Sequence, residues 1–516
     1  MQNWLNNAVV YEIYPQSFYD TNGDGIGDLK GIIQKLDYIQ DMGFTAIWLN
    51  PINKSAFRDA GYDVTDFYAV DPRYGTNEDY KNLCDEVHNR GMKIIFDLVA
   101  GHTSVDHPWF TESAKDEVNE YTNRYIWTDD TFDNPEGIAG YSQRNGNYIA
   151  NFFWSQPALN YGYAHPDPQK EWQLPVDHPD CIATKEELKR IIDFWIDLGT
   201  DGFRVDMAAS LIKGDTDGSF LKAFWSEIRE HMAKKNPECL LIAEWGLPEQ
   251  AINSGFHLDF LLHSANSAYT SLFRHEKGRN TTRLFVGDSY FNKEGKGNIN
   301  TYLDRFMFDY ENTKGKGYIG MITGNHDMQR LAYMRDTEET KCAFVFLFTM
   351  PGVPFVYYGD EIGMDYIKDL STKEGGYNRT GARTPMQWNG NKNHGFSPSD
   401  TPYLPTDSRD GAPTVENQLN DENSLLLFVK RLTALHKAEK AFHAQGDFNI
   451  LTKGYPFVFE RFADNKKFLI AINPSAKDYK IDVPSLEKTV LSQNAEYVNG
   501  KLKMSGVSFV IAEEKK

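Results

Sequence analysis

Cysteine is scarce: four in 516 residues, at Cys84, Cys181, Cys239 and Cys342, with no CxxC pair among them. That scatter excludes a disulfide framework and a zinc ribbon, and leaves four reduced thiols. No apolar run reaches the roughly 18 residues that a membrane-crossing helix takes. The opening MQNWLNNAVVYE also lacks the basic and then apolar character of a secretory leader. The expected setting is the cytoplasm, with no membrane partner. Positive charge is in deficit: 54 Lys and Arg stand against 73 Asp and Glu, a net charge of −19. That balance excludes the basic surface nucleic acid requires. Internal repeats, low-complexity tracts and long charge runs are absent.

Length and aromatic side chains are plentiful. A chain of 516 residues can bury a large core and divides into two or three domains. Its 14% aromatic content, with 10 Trp and 28 Tyr, suits flat ligands such as sugar rings and equally suits a big core.

Short apolar strands alternate with helical stretches from the start: VVYEIYPQSF, GIIQKLDYIQDMG, FTAIWLNP, NEDYKNLCDEVHNRG and KIIFDLVAGH. Such alternation predicts βαβ units around a parallel sheet. After His102 it breaks, and residues 103–179 turn aromatic, polar and irregular, too long for a loop, so they read as an inserted subdomain. It resumes with KEELKRIIDFWIDLG, TDGFRVDMA, SFLKAFWSEIREHMAKK and CLLIAEW, then GFHLDFLLH, YIGMITGNHD and VPFVYYGDE. Eight such strands predict an α/β fold, a (β/α)8 TIM barrel with its site at the strand C-termini. The barrel should occupy residues 1–102 and 180–441. Beyond 442, short alternating stretches such as YPFVFERFA and KKFLIAINP predict a C-terminal antiparallel β-sandwich over 442–516.

Ionisable residues close several strands: Asp97 and His102 on the third, Arg204 and Asp206 on the fourth, Glu244 on the fifth, His326 and Asp327 on the seventh. Any one of them could be a helix cap or a loop hydrogen-bonder. Together they are costly to bury without a chemical role. Two carboxylates flanking one bond are the machinery of glycoside hydrolysis. Arg204 and Asp206 lie two residues apart on one strand face, so the cation is expected to keep Asp206 ionised as the nucleophile. Glu244, after an apolar strand and before Trp245, is expected to have a raised pKa and to serve as the acid/base.

DTNGDGIGDLKG follows the first strand, with oxygen-bearing side chains at Asp20, Asn22, Asp24 and Asp28. Calcium favours such donors. An EF-hand, however, needs Glu at the twelfth position, where this chain has Gly31, and a helix ahead of the loop. A metal loop and an ordinary turn both remain open.

The stretches IIFDLVAGH, GFRVDMA, LIAEW and GNHD, in that order, resemble the four conserved segments of the family 13 glycoside hydrolases, the α-amylase superfamily. QSFYDTNGDGIGDLKGI, GYDVTDFYAVDPRYGT and RTPMQW resemble its α-glucosidase and oligo-1,6-glucosidase branch. The resemblance implies Asp206 as nucleophile, Glu244 as acid/base and Asp327 as a third carboxylate gripping sugar hydroxyls. It implies hydroxyl-binding and orienting roles for His102, His326 and Arg204, a structural role for Asp97, and an aromatic platform at Tyr62. Asp59 with Arg379 or Arg383 would close the pocket over the non-reducing end. It also implies a structural calcium held by Asp20, Asn22, Asp24, Asp28 and the Ile26 carbonyl. Ala100–Gly101, the QPALN stretch, Thr380–Gly381 and Met207 depart from the branch's pattern and leave the preferred linkage open.

The expected function is thus a retaining, exo-acting α-glucosidase taking short malto- or isomalto-oligosaccharides, as a monomer or small homo-oligomer. A transglucosidase or glucosyl isomerase would use the same residues. A non-catalytic transporter subunit on this barrel would carry a membrane anchor and lack the carboxylates, and a dockerin-like module would need a second calcium loop.

Overall fold

The computed structural model describes residues 3–132, 137–138, 142–261, 269–274 and 288–515. Strands β1 (Val10–Ile13), β2 (Ala46–Leu49), β5 (Lys93–Val99), β6 (Gly202–Asp206), β7 (Leu240–Ala243), β8 (Leu258–Phe260), β9 (Tyr318–Ile322) and β10 (Val353–Tyr357) close into one parallel barrel. The short pair β3 (Asn53–Ser55) and β4 (Val64–Val70) forms an antiparallel ribbon outside it. All eight expected strands are present. The last two residues of GFHLDFLLH, and positions 133–136 and 139–141 of the aromatic insert, lie outside the described residues.

The helices between strands follow the sequence pattern closely. Leu29–Asp41 starts at Asp28, whose carboxylate accepts the Gly31 N–H, and buries Leu29, Ile32, Leu36 and Ile39 along one face. Asn77–Asn89 opens on a reciprocal cap between Thr76 and Asp79 and buries Tyr80, Leu83, Cys84 and Val87. Strand interiors are buried on both faces, as parallel barrels require. The insert is mostly irregular. It holds the short helix Pro108–Ser113 and a ring cluster of Phe110, Tyr125, Trp127 and Tyr148. Isolated bridges tie it to the barrel mouth, His102 pairing with Ala158.

Strands β11 (Asp447–Thr452), β12 (Phe457–Ala463), β13 (Lys466–Asn473), β14 (Tyr479–Asp482), β15 (Leu486–Val498) and β16 (Lys501–Glu514) form the C-terminal antiparallel sheet. Leu502, Met504, Val510 and Ala512 of β16 share a second, smaller core with Val458 of β12 and Leu469 and Ala471 of β13. The helix Thr337–Thr349 packs against β9, β10, β13 and β16. Caught between barrel and sheet, it buries Cys342 through Thr349 without a break. All four cysteines are buried free thiols. Among the described residues no helix is long and apolar enough to cross a membrane.

Candidate active site

Register between neighbouring strands assembles the centre. Asp97 on β5 sits beside Arg204 on β6, and Val99 beside Asp206. Glu244 is the first residue beyond β7, its N–H held by the Val205 carbonyl at 3.0 Å. Arg204 is therefore shared among three carboxylates. It donates to Asp97 at 2.7 Å and to Asp206 at 3.1 Å, and its Nη2 lies 2.9 Å from Glu244 Oε2. The Arg204 side chain is 2% exposed.

One guanidinium for three acids changes the electrostatic expectation for Asp206. Its pKa is pushed well above the carboxylate range, chiefly by burial and then by the adjacent Glu244, with Arg204 only partly opposing. The two acids face each other under the one guanidinium, and like charges so placed oppose the ionisation of Asp206. Arg204 thus serves the whole group and does not by itself keep Asp206 ionised. Nor is Glu244 in an apolar setting, since Oε2 also accepts the Met207 N–H at 3.0 Å. Met207 adopts φ +45°, a left-handed turn that aims this N–H back at Glu244.

A second group is built around His326. Tyr62 Oη donates to Asp97 Oδ2 at 3.0 Å and lies 2.8 Å from His326 Nε2, with the two rings stacked at 5.3 Å. Burial pushes the Asp97 carboxyl up to about 6 and the His326 imidazole down to about 3, so this histidine is neutral. Asp327 Oδ1 accepts from Arg379 and from Arg383, each at 2.9 Å, and Oδ2 lies 3.5 Å from His326 Nε2. The choice between the two arginines resolves on contact: Arg379 reaches Asp59 at 3.0 Å, while Arg383 turns to the His326 carbonyl at 2.8 Å. Gln156, from QPALN, donates to the other Asp59 oxygen at 2.9 Å.

His102 stands to one side. Its Nε2–H donates to the Tyr62 carbonyl at 3.1 Å and its Nδ1 accepts from Asn151 at 3.2 Å, so both nitrogens have protein partners. Burial takes its pKa down to about 4. Asn151 is oriented in turn by the Lys213 ammonium at 3.1 Å. Gly101 makes room for this contact, because a Cβ there would lie 2.8 Å from the Asn151 amide nitrogen.

Four participants were not singled out from the sequence: Glu12, Asn151, Lys213 and Asp259. Asp259 is fully buried and accepts the N–H groups of Trp245, Gly246 and Leu247 at 3.0, 3.3 and 2.9 Å, pinning the turn that follows Glu244. The one available signal was an acid inside an otherwise apolar strand, in VVYEIY and in GFHLDFLLH. Beside Asp327 a cavity of about 120 Å³ runs past Arg379 to Tyr377, which is 61% exposed. Phe153 lies 6.2 Å from that ring, with Phe152 4.4 Å further on.

The loop after β1 offers oxygen donors that a calcium ion could take. Three carboxylates, an amide oxygen and a carbonyl are the hard oxygens this cation takes. The chemistry fits, although no group of three or more His, Cys, Asp or Glu among the described residues is gathered as a cage. The carboxylates serve the loop itself. Asp20 accepts from Asn22, Gly23 and Gly25 N–H and from Ser397 Oγ, Asp24 accepts the Ile26 N–H, and Asp28 takes Thr21 and Gly31.

The chain is similar to known proteins over most of its length. The family description "Alpha amylase, catalytic domain" matches residues 12–445. An oligo-1,6-glucosidase of Heyndrickxia coagulans is 31% identical over 96% of this chain and 96% of its own. The trehalose synthase/amylase TreS of Mycolicibacterium smegmatis is 32% identical over 88% of this chain and 80% of its own. Among solved structures, the trehalulose synthase MutB of Pseudomonas mesoacidophila superposes with a TM-score of 0.81 at 23% identity, covering 100% of both chains. An isomaltulose synthase of Erwinia rhapontici gives 0.81 at 22%, again covering 100% of both.

Proposed function

Because the chain belongs to the α-amylase family of glycoside hydrolases, we propose that it is a retaining, exo-acting α-glucosidase that releases terminal α-linked glucose from short malto- or isomalto-oligosaccharides. The contact between Asp206 and Glu244 under Arg204 carries this reading. A retaining pair stands about 5 to 5.5 Å apart and an inverting pair about 6.5 to 9.5 Å, and two acids held by the same guanidinium at 3.1 and 2.9 Å fit the closer arrangement.

The first step needs one carboxyl ionised and the other protonated. Asp206 as carboxylate attacks the anomeric carbon while Glu244 as acid protonates the leaving oxygen. Glu244, now ionised, takes a proton from water, whose oxygen displaces Asp206 and yields glucose of unchanged anomeric configuration. Asp327 is positioned by two guanidiniums to accept sugar hydroxyls, and Tyr62 and His326 line the wall beside it. The Asp59–Arg379 pair supports exo action, since it closes the end of the pocket that a longer chain would cross. The relatives' names, oligo-1,6-glucosidase among them, support the same substrate class.

A glucosyl transferase or isomerase is the second reading, and the exposed Phe152 and Tyr377 rings, with half-buried Phe153 between them, favour it. Such a surface would stack a second sugar in place of water. The trehalulose and isomaltulose synthases share the fold.

A calcium ion belongs to the first reading. Asp20, Asn22, Asp24, Asp28 and the Ile26 carbonyl would hold it, and its charge would brace the loop without entering the reaction. The reading takes residues 1–102 and 180–441 as the catalytic domain, 103–179 as the insert and 442–516 as the C-terminal domain. It places the enzyme in the cytoplasm as a monomer or small homo-oligomer.

The test is a panel of maltose, isomaltose, trehalose, sucrose, panose and starch, followed by anomer-resolved NMR. Release of α-glucose from disaccharides is expected, and activity on starch alone would overturn it. Isomerised disaccharide as the main product would select the second reading.

A further inference from the structure

Glu12 lies in the middle of β1, between Trp48 on β2 and Tyr357 on β10, with no exposed surface. Its Oε1 is 2.9 Å from His326 Nδ1 and 3.1 Å from the Asn50 amide nitrogen, which itself lies 3.0 Å from that Nδ1. Its Oε2 is buried without a partner. Among the described residues no lysine or arginine forms an ion pair with it. The charged or titratable groups facing it are Arg204, Asp97, Asp327, His326 and Tyr357.

A count of hydrogens assigns its state. Tyr62 has one hydroxyl hydrogen, and at 3.0 Å that hydrogen goes to the Asp97 carboxylate, the stronger acceptor. The 2.8 Å contact between Tyr62 Oη and His326 Nε2 then needs a hydrogen on Nε2. His326 is neutral, so its Nδ1 is bare, and the 2.9 Å contact with Glu12 needs a hydrogen on Oε1. The alternative places an ionised carboxylate in the barrel interior with one oxygen unsatisfied, a costly burial.

We propose that Glu12 works as a neutral carboxylic acid that donates to His326 Nδ1 and so fixes the imidazole tautomer with its N–H facing Tyr62 and Asp327. Glu12 touches no substrate and is a positioning residue. It keeps a donor, not a lone pair, on the side of His326 that faces the third carboxylate. Burial, the main influence on Glu12, raises its pKa well above the usual carboxylate range and supports the same state. Ionisation of Glu12 at high pH would draw the hydrogen to Nδ1 and turn a bare Nε2 toward Asp327.

The tautomer is read directly by NMR of the 15N-histidine-labelled protein, with the His326 signals assigned by their loss in His326→Gln. A bare Nδ1 and protonated Nε2 near pH 6.5 are expected, and the reverse would overturn the proposal. Kinetics supply the second arm. Glu12→Gln keeps a donor at the same place, because Asn50 Oδ1, buried without a partner, can turn to accept from the new amide. That variant should hold kcat/KM within about threefold and extend the alkaline limb, whereas Glu12→Leu should lose about 10- to 100-fold. Equal losses in the two would count against it. The proposal rests on the glucosidase reading only in its kinetic arm. The tautomer is measured without substrate, so failure of that reading and failure of this inference give different results.

Discussion

Arg379 and Asp59 meet at 3.0 Å across the mouth of the barrel, and the same guanidinium grips Asp327 at 2.9 Å. The wall they make ties the third carboxylate to the closed end of the pocket. Asp59 is buried, so removing its cation leaves an uncompensated acid beside the sugar. Arg379→Ala should raise KM for disaccharides by about 10- to 100-fold and narrow the preference for short over long substrates. Steady-state kinetics over a chain-length series measure both. An unchanged preference would mean that the wall does not set exo action.

The two central carboxyls should separate by step. Asp206→Asn removes the nucleophile and should reduce kcat by about 10³-fold or more with the thermal transition intact. Glu244→Gln should lose far less with 4-nitrophenyl α-glucoside than with maltose, because a good leaving group needs no proton. Similar losses on both substrates would remove Glu244 from the acid role.

A pH effect on stability is built into the wall of the barrel. Glu361 is fully buried, accepts from Tyr11 at 2.6 Å and Tyr38 at 2.8 Å, and has its pKa pushed up to about 7 by burial. A raised folded-state pKa favours the protonated form. Its stability contribution is therefore full below the unfolded value near 4.5 and is lost as pH rises through about 7. The loss is on the order of 3 kcal/mol. Tm measured at pH 5 and pH 8 should fall further in the wild type than in Glu361→Gln, and parallel falls would contradict the assignment.

Chelation should lower Tm by a few degrees while initial rates hold, since a bound ion adds stability by mass action and the chemistry belongs to the carboxyl pair. Immediate and complete loss of turnover would contradict a purely bracing ion.

The barrel was legible because β/α alternation is a local pattern, and Arg204 with Asp206 because an i, i+2 spacing puts both on one strand face. Arg379 could not be told from Arg383 from four residues of spacing, because the choice depends on where Asp59 lies after the fold closes. Asn151 meets His102 from an irregular insert and Lys213 meets Asn151 from a post-strand turn, and no periodicity marks either. Glu12 and Asp259 looked like polar interruptions of apolar strands. Their meaning comes from partners brought up by other strands. Reading Arg204 against Asp206 alone also missed that Asp97 and Glu244 draw on the same cation.

The loop that begins at Asp20 is fastened to the far end of the catalytic sequence. Asp20 N–H bonds the Phe396 carbonyl, Ser397 caps its carboxylate, and the Gly25 carbonyl takes the Tyr403 N–H. Beneath it, β1 pairs with β10 where the cylinder closes. These are among the contacts most distant along the chain, and contacts of that kind form late in folding. During synthesis the first strand therefore waits with an open edge until some 360 residues have emerged, and its loop until about 400. The clasp is the seam's last stitch, and weakening it should show first in the unfolding rate.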